Sequence, residues 1–305
     1  VTPLFMKPKL LLNPGTGWCG TTPFYYTLRD AHFCHAGYKK EFHYLQLMHS
    51  NSEQFREFMI DRYTKPEIDF RTGELPVETR DYDVKYYREL FEGEHSFDKY
   101  ISHMHYMREK FPRFNAVCDF SNYNINLPEE FLTAHAKAIL PHFDVKVTVL
   151  IADPVYRFYN ELGGLINQYH FSENKRKKMR IFGKNEDLLY NHYIRTKQQQ
   201  KLFVHCIDRL RFSNNCYYEK NYEKLARSYG KNRILVLEME KVWDLSYHKE
   251  TFDKLSEFLD YRVSSSDLYP NKYMSQDKNI DGLGDQDTEF EPMTDELYEL
   301  GKKQL

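Results

Sequence analysis

The chain has 305 residues, 41% of them hydrophobic and 29% charged, with a formal net charge of −2 at pH 7. That mix describes a soluble globular protein long enough to bury a sizeable core, and a near-neutral total leaves no global basic field for nucleic acid or an anionic membrane. Five scattered cysteines, an odd number with no C-x-x-C pair, argue against a disulfide framework or a zinc knuckle and fit a reducing, cytoplasmic setting. The longest run, Val147 to Ala152, apolar apart from Thr148, is far too short to cross a bilayer, and the first residues carry no signal-peptide pattern.

Leu10–Asn13 reads as a buried strand that stops at a glycine-rich turn, Pro14-Gly15-Thr16-Gly17-Trp18-Cys19-Gly20. Thr21, Thr22 and Pro23 then open a helix expected to run to about Phe33, with proline in the first turn, where a missing N–H is harmless. Strand, turn and helix end make an anion cradle: turn N–H groups point inward and the helix N-terminus adds partial positive charge. The pattern comes close to the nucleotide-binding loop G-x-x-x-x-G-K-[ST]. Gly15 and Gly20 keep its spacing and Thr22 its hydroxyl, but Thr21 stands where the lysine would be.

Phe42–Met48 is expected as a second strand, an extended segment on which Glu41 and His43 would share a face. Ser52–Tyr63 is helical by the spacing of Phe55, Phe58, Met59 and Arg62. Residues 64–112 read as a helical and loop insertion: a charged, Pro- and Gly-containing loop over 64–80, then helices near Asp83–Phe91 and Ser96–Lys110. Asn115–Phe120 is a short strand. Pro128–Leu140 is a helix opened by proline and two glutamates, which suit the helix dipole.

Lys146–Ala152 is the clearest strand, and Pro154 to about Asn167 the helix after it. A long polar helix is expected over Glu186–Arg211, then a helix over Tyr217–Tyr229 ended by Gly230, a strand over Ile234–Met239 and an amphipathic helix over His248–Leu259. Residues 264–305 form a polar extension with a short helix near Thr294–Lys302. Short strands alternating with helices predict an α/β fold, a mainly parallel central sheet flanked by helices, in a single domain. Ligands in such sheets bind at the carboxyl ends of strands, here the loop after Leu12 and the turn at Asp153.

Four stretches stand in order between Leu10 and Tyr261: Gly17-Trp18-Cys19-Gly20-Thr21-Thr22, then Lys39-Lys40-Glu41-Phe42-His43-Tyr44, then Ile151-Ala152-Asp153-Pro154-Val155-Tyr156-Arg157-Phe158-Tyr159-Asn160, and finally Tyr217–Tyr222 with Ile234–Glu238. Together they resemble the sulfotransferase family, which moves the sulfuryl group of 3′-phosphoadenosine 5′-phosphosulfate (PAPS) to a hydroxyl or amine. The first looks like the 5′-phosphosulfate loop, often P-K-x-G-T-T. The second is similar to the K-E-x-H-F segment of the glycan O-sulfotransferase branch. The third looks like R-x-P-x-x-R-x-x-S, which holds the 3′-phosphate, and the fourth like the family's late helix and strand.

The resemblance implies a P-loop-NTPase-like sulfotransferase fold, PAPS as co-substrate, no metal, and a small-molecule or glycan acceptor, with neither nucleic acid nor membrane as partner. Gly17, Trp18, Cys19, Gly20, Thr21 and Thr22 would hold the 5′-phosphosulfate, and Arg157 and Asn160 the 3′-phosphate. Glu41 would act as base between Lys40 and His43. Three positions depart from the family pattern: its loop lysine is Trp18 here, its first 3′-phosphate arginine is Ala152, and its serine is Asn160. Lys39, Lys40 or the basic run Lys175-Arg176-Lys177-Lys178 with Arg180 are the cations available to compensate.

Several residues carry a plainer reading as well. Glu41 also reads as a surface carboxylate paired with Lys39 or Lys40, Arg157 as a helix anchor, and the basic run as a solvated face. Asp119-Phe120-Ser121-Asn122-Tyr123 resembles a family segment at the donor–acceptor junction and equally an Asx turn ending a strand. His32, Cys34 and His35 lack a second ligand pair and read as a helix face, while His103 and His105 do not face each other. His205-Cys206 with Arg211 misses the H-C-x₅-R phosphatase spacing by one residue. Two other functions are compatible: a catalytically impaired sulfotransferase-like nucleotide- or glycan-binding protein, motivated by Trp18 and Ala152, and a nucleotide kinase with a degenerate loop.

Overall fold

A computed structural model describes residues 7–63, 83–171, 188–207, 214–267 and 291–305. The expected loop at 64–80, the basic run at 175–180 and residues 268–290 of the polar extension lie outside the described residues. Five strands form one sheet: β1 (Lys9–Leu12), β2 (Cys34–His35), β3 (Ala116–Asp119), β4 (Asp144–Ile151) and β5 (Ile234–Glu238). Their order is β2-β3-β1-β4-β5 and every pairing is parallel, with Leu10 opposite Val117 on one side and Val145 on the other.

The helices are α1 (Thr21–Asp30), α2 (Tyr44–Ser50), α3 (Glu53–Tyr63), α4 (Val84–Phe91), α5 (Phe97–Lys110), α6 (Glu129–Ile139), α7 (Pro154–Phe171), α8 (Leu188–Arg195), α9 (Gln199–Cys206), α10 (Tyr218–Tyr229), α11 (Met239–Trp243), α12 (His248–Leu259) and α13 (Asp295–Gln304). They cover both sheet faces, and β1 displays the consequence. Side chains alternate along a strand, so Leu10 and Leu12 enter a core with Val117, Val145, Val147, Val149 and residues of α2 to α6 and α10. Leu11 enters the opposite core with Cys118, Leu150, Leu235, Leu237 and residues of α1 and α12. A strand buried on both faces carries apolar residues on both, which is why the runs Leu10–Leu12 of β1 and Val149–Ile151 of β4 read so clearly. A third cluster joins α7, α8, α9 and α13.

The expected α/β class and parallel sheet are therefore present, with corrections at single elements. Phe42–Met48 is not a strand. Tyr44, Leu45 and Leu47 are buried on the short helix α2, and the strand of this region is instead Cys34–His35, which also removes these two residues from the expected helix face. Tyr44, Leu47 and Met48 fit helical spacing as well as an extended run, and a segment this short does not discriminate between the two. The long helix expected over 186–211 is two helices, α8 and α9. Lys197 takes a left-handed φ of 57° and closes α8: its N–H donates to the Ile194 carbonyl, and the Gln198 N–H donates to that of Tyr193. His32, φ 56°, ends α1 before Phe33 in the same way, through bonds from His32 to Arg29 and from Phe33 to Leu28. These are Schellman closures made without glycine.

Candidate active site at the carboxyl edge of the sheet

The chain enters the sheet at β1, builds β2 and β3 on one side of it, then crosses to β4 and β5 on the other. The loops leaving β1, β3 and β4 therefore meet where the strand order reverses, the position at which parallel sheets bind ligands. Backbone bonds stitch them together: Asn13 N donates to Asp119 O at 2.8 Å and Ile125 N to Pro14 O at 2.7 Å. Thr16 Oγ1 donates to the Leu150 carbonyl at 2.6 Å. The approach is tight at Gly15, where a Cβ would lie 2.7 Å from the Asn122 carbonyl oxygen and 2.8 Å from Ile125 Cγ2. No larger residue fits without moving backbone.

Beyond Thr16 the loop turns through Trp18 (φ 66°) and Gly20 (φ 68°) into α1. Among the described residues no backbone carbonyl takes the N–H groups of Gly17 to Thr22, and the first N–H used at the start of α1 is that of Phe24, which donates to Gly20. Unspent donors at a helix N-terminus favour an anion. Cys19 lies inside the loop, 2.8 Å from Thr16 Oγ1. Burial pushes its thiol above its ordinary value, so it stands as a neutral wall and not as a nucleophile.

The second segment singled out in the sequence reaches this loop. Lys40 is buried, and its Nζ donates to Thr21 Oγ1 at 3.3 Å while lying 3.1 Å from Glu41 Oε1. A cation therefore stands at the mouth of the loop, though it comes from a different segment than the family pattern would supply. Glu41 Oε1 also accepts from Asn122 Nδ2 at 2.6 Å, and Glu41 Oε2 lies 3.0 Å from His43 Nε2. Burial works against ionising Glu41, but the Lys40 ammonium and the His43 bond outweigh it and hold the carboxyl well below its ordinary range. Glu41 and His43 do meet, though not by strand alternation: His43 has a left-handed φ of 55° that opens α2, and its N–H donates to Ser121 Oγ at 2.8 Å. Asn122 Oδ1 and His43 Nδ1 are buried with no partner among the described residues, which leaves two polar atoms beside the carboxylate for a ligand.

The strand-end segment takes the Asx-turn form and contributes to the site as well. Asp119 Oδ1 accepts the Ser121 N–H at 3.0 Å and the Ser121 hydroxyl, while Asn122, three residues on, reaches Glu41. Asp119 is enclosed, and burial raises its carboxyl.

Arg157 is the residue the structure uses differently from a ligand contact. Its side chain is 0% exposed. Nε donates to the Gly17 carbonyl at 3.0 Å, Nη1 to Cys216 Sγ at 3.0 Å, and Nη2 to Glu161. Burial opposes its charge, but the Glu161 carboxylate overrides this and keeps the guanidinium protonated. The anchor reading of Arg157 describes these contacts: it braces the loop from behind. Asn160 is exposed on α7. Ahead of that helix, Asp153 Oδ1 accepts the N–H groups of Val155 and Tyr156, each at 2.9 Å. Asp153 Oδ2 accepts from Tyr298 of α13 at 2.8 Å, and Asp153 N donates to Glu240 Oε1 at 3.3 Å.

Trp18, which stands where the resembled motif has lysine, packs on α7. A Cβ at Gly164 would lie 1.8 Å from Trp18 Cη2, so the indole lies against bare helix backbone while 40% of the residue stays exposed. The Gly163-Gly164 pair inside an otherwise periodic helix was the sequence signal for such an approach. Glu161, Cys216 and Tyr218 carried no comparable signal. Tyr218 joins the loop to β4, accepting the Ala152 N–H at 3.4 Å and lying 4.0 Å from Cys19 Sγ.

Among the described residues no cluster of three or more His, Cys, Asp or Glu could hold a metal, all five cysteines are buried and free, and no helix is long and apolar enough to cross a membrane. No family model, curated protein or solved structure compared with this chain matches it.

Proposed function

We propose that this protein is a sulfotransferase of P-loop-like fold that moves the sulfuryl group of a nucleotide 5′-phosphosulfate, PAPS in the family it resembles, to an acceptor hydroxyl such as that of a glycan. The observation that carries the reading is the convergence of Lys40 on Thr21: an ammonium 3.3 Å from the hydroxyl that opens α1, beside a loop whose six N–H groups from Gly17 to Thr22 meet no backbone carbonyl among the described residues. The acceptor oxygen attacks sulfur in line, and the bond from sulfur to the bridging oxygen breaks. The 5′-phosphate leaves with that electron pair, its growing charge met by the loop N–H groups and Lys40. The hydroxyl proton goes to the Glu41 carboxylate. A carboxylate held this acidic is a weak base, so it takes the proton only as the oxygen–sulfur bond forms. His43 orients Glu41, and the unpartnered Asn122 Oδ1 is an acceptor for a second hydroxyl of the entering molecule.

The test is calorimetric titration with 3′-phosphoadenosine 5′-phosphate, followed by transfer of radiolabelled sulfate from PAPS across a panel of glycans. The expected results are binding weakened in Thr21→Ala and Lys40→Met, and turnover lost in Glu41→Gln. Absence of heat would sink the reading. Binding without transfer to any acceptor favours the impaired nucleotide-binding protein, a reading that the low basicity of Glu41 supports.

A further inference from the structure

We infer that the nucleotide site reads only the 5′ end of its donor, so that the donor class is a nucleoside 5′-phosphosulfate with no requirement for a second phosphate on the ribose. This rests on the sulfotransferase reading above and narrows it. The cations in the described part of the site gather at one end. Lys40 and the N–H groups of Gly17 to Thr22 face the 5′ position.

The strand-to-helix turn after β4, where the family pattern would seat a 3′-phosphate, is built with the opposite polarity. Ala152 brings no charge. The guanidinium of Arg157 is wholly enclosed and directed onto Gly17, Cys216 and Glu161. Freeing it for a phosphate would leave a buried carboxylate and a loop carbonyl unpaired, a cost that no exposed phosphate contact repays. The N-terminus of α7 is also closed to an outside anion, because the Asp153 carboxylate takes its Val155 and Tyr156 N–H groups. Glu240 accepts the Asp153 N–H and brings a second carboxylate to the same turn. Tyr298 then ties Asp153 to α13 and fixes the cap in place. A phosphate dianion arriving here meets two carboxylates and no available helix donors, and Lys302, the cation that interacts with Asp153, is itself paired with Glu299 at 3.0 Å.

In the reaction this implies, the acceptor oxygen bonds to sulfur, the sulfur–oxygen bond to the 5′-phosphate breaks, a nucleoside 5′-monophosphate leaves, and the acceptor proton passes to Glu41. The experiment compares adenosine 5′-monophosphate with 3′-phosphoadenosine 5′-phosphate by calorimetry on the full chain at 50 and 150 mM salt. The two ligands differ only in the 3′-phosphate. The expected result is affinities within about threefold of each other, both reduced in Lys40→Met. In Glu240→Gln, an exposed change that leaves the fold intact, affinity for the bisphosphate should rise severalfold relative to the monophosphate, more at the lower salt. Bisphosphate binding thirtyfold or more tighter than the monophosphate would overturn the inference while leaving the sulfotransferase reading standing. Failure of both ligands to bind would overturn both.

Discussion

Replacing Gly164 by alanine sets two effects of opposite sign against each other. In an ordinary helix interior the change is favourable by about 1 kcal/mol, because alanine loses less backbone freedom on folding. Here the new methyl would lie 1.8 Å from Trp18 Cη2 and 2.3 Å from Cζ2, so the indole has to leave. Trp18 is 40% exposed, and a tryptophan can hide up to about 250 Å², so roughly 150 Å² of it is covered in the fold. Re-exposing all of that at about 25 cal/mol per Å² would cost nearly 4 kcal/mol, and re-exposing half about 2. After the helix gain is subtracted, Gly164→Ala should destabilise by about 1–3 kcal/mol. Urea denaturation measures this. The second readout is fluorescence in a Trp243→Phe background, which leaves Trp18 as the sole tryptophan of the two in the chain: its emission should shift to the red. A variant that is more stable by about 1 kcal/mol, with unshifted emission, would refute the packing of Trp18 on α7.

Arg157→Met should destabilise by about 3–5 kcal/mol, because it strands Glu161 and the Gly17 carbonyl in the interior. Unchanged urea stability with lost affinity for 3′-phosphoadenosine 5′-phosphate would instead make Arg157 a ligand residue. Lys40→Met should weaken nucleotide binding roughly 10- to 100-fold, the range for a hydrogen bond to a charged group, read by calorimetry; an unchanged affinity would place the anion elsewhere. Three enclosed histidines set an acid limit: burial lowers His35, His103 and His135 each to about 3. Above pH 6.5 neither folded nor unfolded chain binds these protons and stability is flat. Between about 6.5 and 3 only the unfolded chain does, so stability falls as pH falls, by about 1.4 kcal/mol per unit for each histidine and about 4 for all three. Urea titrations at pH 7, 6 and 5 should give that slope, and His135→Gln should remove about a third of it; an identical slope in the variant would contradict the neutral buried state.

What the sequence revealed and what it concealed divide along physical lines. β1 and β4 were legible because burial on both faces gives each a run of consecutive apolar residues, Leu10–Leu12 and Val149–Ile151. The ends of α1 and α8 were not, because His32 and Lys197 occupy the left-handed positions where a glycine would have marked the stop. α2 was misread because seven residues supply too little periodicity to separate strand from helix.

The same division runs through the site. The glycine-rich loop announces itself locally, since its chemistry resides in consecutive backbone groups. The cation does not, because Lys40 stands 19 residues from Thr21 in the chain and reaches it only once β2 and the turn after it are in place. Nor does the duty of Arg157: an arginine three residues after a helix-opening proline suits anchor and ligand equally, and only its contacts to Gly17, Cys216 and Glu161 separate the two. These two residues explain each other. With Trp18 packed on Gly164, the loop itself carries no cationic side chain. Lys40 supplies a charge at Thr21, and Arg157 holds the Gly17 carbonyl. A cradle built this way still gathers positive charge at its mouth, but it has committed Arg157, the one enclosed arginine among the described residues, to holding its own shape.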